Sequence, residues 1–176
     1  MNCFRSCFTT NTNTDLENIT KDKDMENICY KNTVEFTFPI QCGKVVKVYD
    51  GDTITIAAKM PYIGGSPIYR FSVRLNGIDT PEIKGSSEDE KNLARMAREF
   101  VENMILHKWV RLENVKNEKY GRLLADVYID DVHLNALLVE KRYAVAYDGG
   151  TKQIPASWTQ YFVRGEKSKT KEPVMK

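Results

Sequence analysis

Tyr69-Arg70-Phe71-Ser72-Val73-Arg74-Leu75-Asn76-Gly77-Ile78-Asp79-Thr80-Pro81-Glu82 is the segment about which the rest of the chain is organised. Tyr69, Phe71, Val73 and Leu75 alternate with Arg70, Ser72, Arg74 and Asn76, the two-residue period of a strand with one buried face. Arg74 therefore faces away from the apolar set, and replacing it is expected to spare stability. Pro81 fixes its own φ and biases Thr80 away from helical geometry, so Asp79 and Glu82 lie at a rigid strand end. Two hard-oxygen ligands beside an arginine suit a phosphodiester held by a divalent metal. The plainer alternative is a strand that leaves its sheet through a Pro turn with its charges solvated.

Working outward, Gly43 to Tyr49 and Thr53 to Ala58 read as two strands joined by Asp50-Gly51-Asp52-Thr53. Asp-Gly marks a hairpin because glycine tolerates the positive φ of a tight turn. That leaves Asp52, just inside the second strand, without a turn role. Pro61 to Pro67 is a loop. Ser87 with Glu90 makes a capping box, and Leu93, Met96, Ala97, Phe100, Val101, Met104 and Ile105 follow as one buried helical stripe. Lys91, Arg95 and Arg98 lie off that stripe as a solvated face. Trp109 to Val115 and Arg122 to Ile129 are strands around a polar loop at Asn117 to Gly121, and Leu134 to Lys141 is a short helix. Val34 to Phe38 alternates as a further short strand before Pro39.

Three meandering strands, a helix, two strands and a helix fit an α+β five-stranded OB-type barrel, because closure is what removes the open sheet edges. Two or three helices would pack on it, the first of them plugging one end.

The 176 residues suffice for one domain with a sizeable core plus some tail. Balanced charge, 26 Lys+Arg against 24 Asp+Glu, does not by itself announce a nucleic-acid binder. Residues 1–33, rich in Asn, Thr, Asp and Lys, read as a disordered arm, 34–164 as the folded domain, and 165–176 as a basic tail. The four cysteines, Cys3, Cys7, Cys29 and Cys42, show no zinc spacing and no disulfide framework. The chain opens without the apolar run of a signal peptide, so an intracellular protein is expected. Cys3 and Cys7 beside Phe4 and Phe8 offer sites for lipid and weak membrane association, against the simpler reading of unmodified cysteines. Near the other end, Pro155 opens only a short segment, in which Trp158 is expected to anchor a brief helix with Tyr161 and Phe162.

Three segments together resemble the staphylococcal-nuclease (thermonuclease) family: Asp50-Gly51-Asp52-Thr53, Arg74 with Asp79-Thr80-Pro81-Glu82, and Lys119-Tyr120-Gly121-Arg122. The resemblance runs from about Gly43 to Tyr147. It implies an OB barrel and a Ca2+-dependent nuclease acting on DNA and RNA, single strands preferred, that leaves 3′ phosphates. It further implies Asp52 and Asp79 as metal ligands, joined by the Thr80 carbonyl. Glu82 would activate the attacking water, and Arg74 and Arg122 would hold the phosphate. Lys119, Tyr120 and Tyr147 match nucleotide-contacting positions, and Asp50 matches a supporting acid. The rival from another class is an inactive barrel that binds nucleic acid or a protein. Such barrels lose the carboxylates or arginines, which are kept here.

Overall fold

The computed structural model describes residues 27–152 and 154–165. The chain divides into two compact units, Met1–Phe36 and Thr37–Lys176. The described part of the first contains one 3-10 turn, Tyr30–Asn32. Cys3, Cys7 and the basic tail beyond Gly165 lie outside the described residues.

The second unit begins its sheet at β1 (Cys42–Val48), so the strand expected at Val34 to Phe38 is not formed. Alternation alone makes no strand unless a neighbouring edge accepts it, and Pro39 removes a donor at the point of entry. Ile40, 2% exposed, is instead the first core side chain. β1 pairs with β2 (Thr53–Lys59), which pairs with β3 (Ile68–Leu75). β5 (Trp109–Asn117) pairs with β1 and with β6 (Leu123–Ile129). A parallel seam closes the ring, with Val73 opposite Leu123, Arg74 opposite Leu124 and Leu75 opposite Ala125. Five strands thus form a closed OB-type barrel, and β7 (Val132–His133) extends β6.

Asn135 secures the seam from α2 (Leu134–Glu140). Its amide accepts from the Val127 backbone at 3.0 Å and donates to the carbonyls of Asn76 at 2.8 Å and Ala125 at 3.2 Å. A polar side chain buried this deeply is tolerated because both ends of its amide are satisfied. Val45, Ile54, Ile56, Val73, Leu75 and Leu123 fill the interior.

Outside the barrel, α1 (Glu88–Ile105) buries Leu93, Ala94, Ala97, Val101 and Ile105, whereas Met96 is 43% exposed. The buried stripe is thus narrower than the apolar pattern suggested, and a small residue, Ala94, takes the place given to Met96. The capping box at its start is half formed. Ser87 Oγ accepts from the Glu90 amide, but the Glu90 carboxylate turns back to the amides of Ser86 and Glu82. Gly51 also plays a different part from the one expected. Its φ is not in the left-handed region; instead a Cβ there would lie 3.0 Å from both Ala97 and Thr80. Glycine is required because the hairpin tip, α1 and the Thr80 segment meet at that point. A two-stranded ribbon, β4 (Ile78–Asp79) with β8 (Val145–Ala146), lies beside this junction. Last comes α3 (Trp158–Arg164).

Candidate active site

The end of β3 and the ribbon strand β4 bring one arginine and two aspartates together. Thr53 lies opposite Arg74 in the β2–β3 ladder, so Asp52 sits within reach of the guanidinium. Arg74 Nη1 donates to Asp52 Oδ2 at 2.5 Å, while Nη2 donates to Asp79 Oδ1 at 3.1 Å and to the Ile78 carbonyl at 3.2 Å. Burial works against the guanidinium charge, but Asp52 and then Asp79 more than offset it and raise its pKa above the ordinary value. Arg74 points off the core, as its strand period requires, yet its side chain is only 15% exposed. Arg74→Lys, the replacement expected to spare stability, keeps the charge, whereas removing the charge would strand two buried carboxylates.

Asp52 and Asp79 are buried at 4% and 3% exposure, and Thr80, at 4%, is packed against Gly51. Thr53 Oγ1 donates to Asp52 Oδ1 at 2.9 Å. Asp50 stands beside Asp52 with its Oδ1 buried and without a hydrogen bond. Burial, reinforced by the negative charge of Asp52, pushes the Asp50 carboxyl up to about 7. Glu82 follows on the exposed side of Pro81, two-thirds accessible.

A second cation enters this group from an unexpected direction. Lys152 Nζ lies 3.0 Å from Asp79 Oδ1 and 3.2 Å from Glu82 Oε1. Asp52, Arg74, Asp79, Lys152 and Glu82 thus form one continuous chain of opposite charges at the barrel mouth. Among the described residues no three carboxylate, imidazole or thiol side chains converge as they stand to ring an ion. The donor chemistry nevertheless fits a hard divalent cation. Asp52, Asp79 and Glu82 offer oxygens alone, and the buried Asp50 Oδ1 beside them has no hydrogen-bond donor.

Arg122 immediately precedes β6 and reaches the same region across the seam, close enough that its charge interacts with those of Arg74 and Asp52. It is held by Glu118, with Nε to Oε2 at 2.6 Å and Nη2 to Oε1 at 2.8 Å. This two-pronged hydrogen bonding, partly countered by burial, raises the Arg122 pKa. The 3-10 turn Lys119–Gly121 leaves Lys119 in solvent and Tyr120 93% exposed, with Tyr120 at φ +66°. Tyr147 is half-buried beside the ribbon, its amide donating to the Gly77 carbonyl at 2.9 Å and its hydroxyl to the Gly150 carbonyl at 3.2 Å.

The structure therefore gathers Asp52, Arg74, Asp79 and Glu82 in one linked group and sets Arg122 beside it. Lys119 and Tyr120 lie on the turn leading to Arg122. Lys152 and Glu118 were not singled out from the sequence. Glu118 lies in a stretch whose polarity says only "loop", and Lys152 follows an Asp-Gly-Gly break where no periodicity guides a reading.

The site thus sets two arginines and three carboxylates on a closed OB-type barrel. The chain belongs to the staphylococcal nuclease homologue family, whose model matches residues 72–172. It is 31% identical over 106 residues to an uncharacterised protein of Bacillus anthracis, covering 58% of this chain and 46% of that one. It is 37% identical over 86 residues to a probable endonuclease of Schizosaccharomyces pombe, covering 45% and 37%. With a thermonuclease of Staphylococcus hyicus it shares 32% identity over 108 residues, covering 60% and 59%. The chain thus spans less than half the length of the first two relatives.

Proposed function

We propose that this chain is a calcium-dependent nuclease that hydrolyses phosphodiester bonds of DNA and RNA, preferring single strands and leaving 3′ phosphates. The observation that carries this reading is the Arg74 guanidinium fixed between Asp52 and Asp79, with Glu82 and Arg122 beside it.

Asp52, Asp79 and the Thr80 carbonyl would hold the calcium ion, which supplies positive charge beside the scissile phosphate. Arg74 and Arg122 hold the phosphate oxygens from two sides, where negative charge grows as the fifth oxygen approaches phosphorus. Arginine suits this task because it has five N–H donors, so those not engaged by Asp52, Asp79 or Glu118 remain for phosphate, and because it keeps its proton. Glu82, the most accessible of the acids, takes a proton from the attacking water. The new P–O bond forms as the bond to the 5′ oxygen breaks, and that oxygen leaves with a proton from solvent. Lys119 binds backbone phosphate, while Tyr120 and Tyr147 offer rings against which bases stack.

Incubating the purified chain with single-stranded DNA, in calcium or in excess chelator, tests the reading. Cleavage in calcium that is absent in chelator is the expected result. Full cleavage in chelator overturns the metal assignment, and binding without cleavage under either condition overturns the nuclease reading.

A further inference from the structure

Lys152 bridges two of the carboxylates of the site. The segment carrying it is fixed at both ends by elements that also build the site. Upstream, Val145 pairs with Asp79 itself in the ribbon. Downstream, Asp89, in the first turn of α1, accepts from Ser157 Oγ at 3.1 Å and from the Trp158 amide at 2.9 Å. From between these anchors Lys152 delivers its ammonium to Asp79 and Glu82.

Asp79 Oδ1 consequently serves two cations, Arg74 Nη2 at 3.1 Å and Lys152 Nζ at 3.0 Å. A divalent ion drawn to Asp79 and Glu82 meets two cations already there, and charge repulsion favours release of the more weakly held one. Arg74 is 15% exposed and held by three hydrogen bonds, to Asp79, to Asp52 and to the Ile78 carbonyl, the last of which no ion contests. Lys152 is 40% exposed and held only by the two carboxylates that the ion itself would engage. Losing Lys152 leaves it free to hydrate, because an ammonium on a flexible stem is readily solvated. Losing Arg74 would uncover a buried pair. Lys152 is the cation that yields.

We propose that Lys152 is a tethered counter-ion that neutralises Asp79 and Glu82 and must be exchanged for the divalent ion, so that it sets the calcium concentration at which the site loads. This rests on the reading of these carboxylates as a calcium site. Lys152 is in these terms a positioning residue, since it acts through Asp79 and Glu82.

Calcium titration of the full chain by calorimetry, without nucleic acid, tests this on wild type, Lys152→Met and Lys152→Arg. Lys152→Met is expected to bind calcium roughly two- to fivefold tighter, the scale of a partly exposed ion pair released from competition. Lys152→Arg, which keeps the charge, gains no affinity. Thermal unfolding gives an independent reading: Lys152→Met melts lower than wild type in chelator and at the same temperature in saturating calcium, so its calcium-induced rise is larger. Equal or weaker calcium binding by Lys152→Met, with wild type binding normally, overturns this inference and leaves the nuclease reading intact. A wild-type chain that binds no calcium overturns both.

Discussion

Arg74 has both terminal nitrogens committed to Asp52, Asp79 and the Ile78 carbonyl, so the catalytic part proposed for it and its structural part are not separable. Arg74→Met should lower unfolding free energy by about 3 kcal/mol in chelator, the scale of breaking a buried ion pair from one side. Urea unfolding checks this, and a change within about 0.5 kcal/mol would mean that Asp52 and Asp79 are solvated. Arg74→Lys keeps the charge but loses the fork, and cleavage in calcium should fall by on the order of a hundredfold or more. A rate within about twofold of wild type would reduce Arg74 to a structural cation. The sequence placed this residue on the correct face, because a strand's period is local. It could not reveal depth, which depends on how Asp52 and β4 fold over the guanidinium. Asp50 shows the same division: its turn position was legible, whereas its buried, unpaired oxygen arises only from tertiary packing.

Among the elements, α3 is short but firmly seated. Trp158 and Tyr161 are 3% and 7% exposed and pack with Leu93 of α1. The Tyr161 hydroxyl donates to the Ala144 carbonyl at 3.1 Å. Trp158→Ala should destabilise by about 3 kcal/mol, the usual cost of truncating a buried aromatic, and thermal unfolding reads it directly. Asp89 adds an electrostatic clasp by capping α3 from another helix. Its hydrogen bonds from Thr159, then Ser157 and the Trp158 amide, hold its carboxyl below the ordinary value of 3.8. A depressed carboxylate contributes stability above its unfolded pKa and loses it as pH falls through the folded value. Asp89→Ala should therefore cost about 1 kcal/mol at pH 7, a typical cap, with a melting difference that narrows below about pH 3.8. A difference independent of pH would assign the effect to packing. Trp158 as anchor was legible because Trp, Tyr and Phe recur at helical spacing after a proline. The partner was not, since nothing in Glu88-Asp89-Glu90 tells which acid serves its own helix and which serves another.

At the scale of the molecule, the motifs used by the proposed chemistry all lie within Thr37–Lys176. A chain beginning at Thr37 should cleave single-stranded DNA in calcium at the full-length rate, and a folded but inactive product would show that the first unit completes the site. Barrel architecture was readable because strand order and the need to remove edges leave few solutions. Lys152 was not, because its role follows from two anchors distant in sequence. The parallel seam between β3 and β6 has a consequence for the life history of the chain. Arg74 and Arg122 are brought together only when that seam forms, and it joins segments made early to segments made late. Pairing of such distant partners comes slowly, since the loop between them must first be closed. A chain still being synthesised therefore carries all these acids and one of the two arginines without the pairing that the nuclease reading requires. On that reading, cleavage competence should appear in step with completion of the ring.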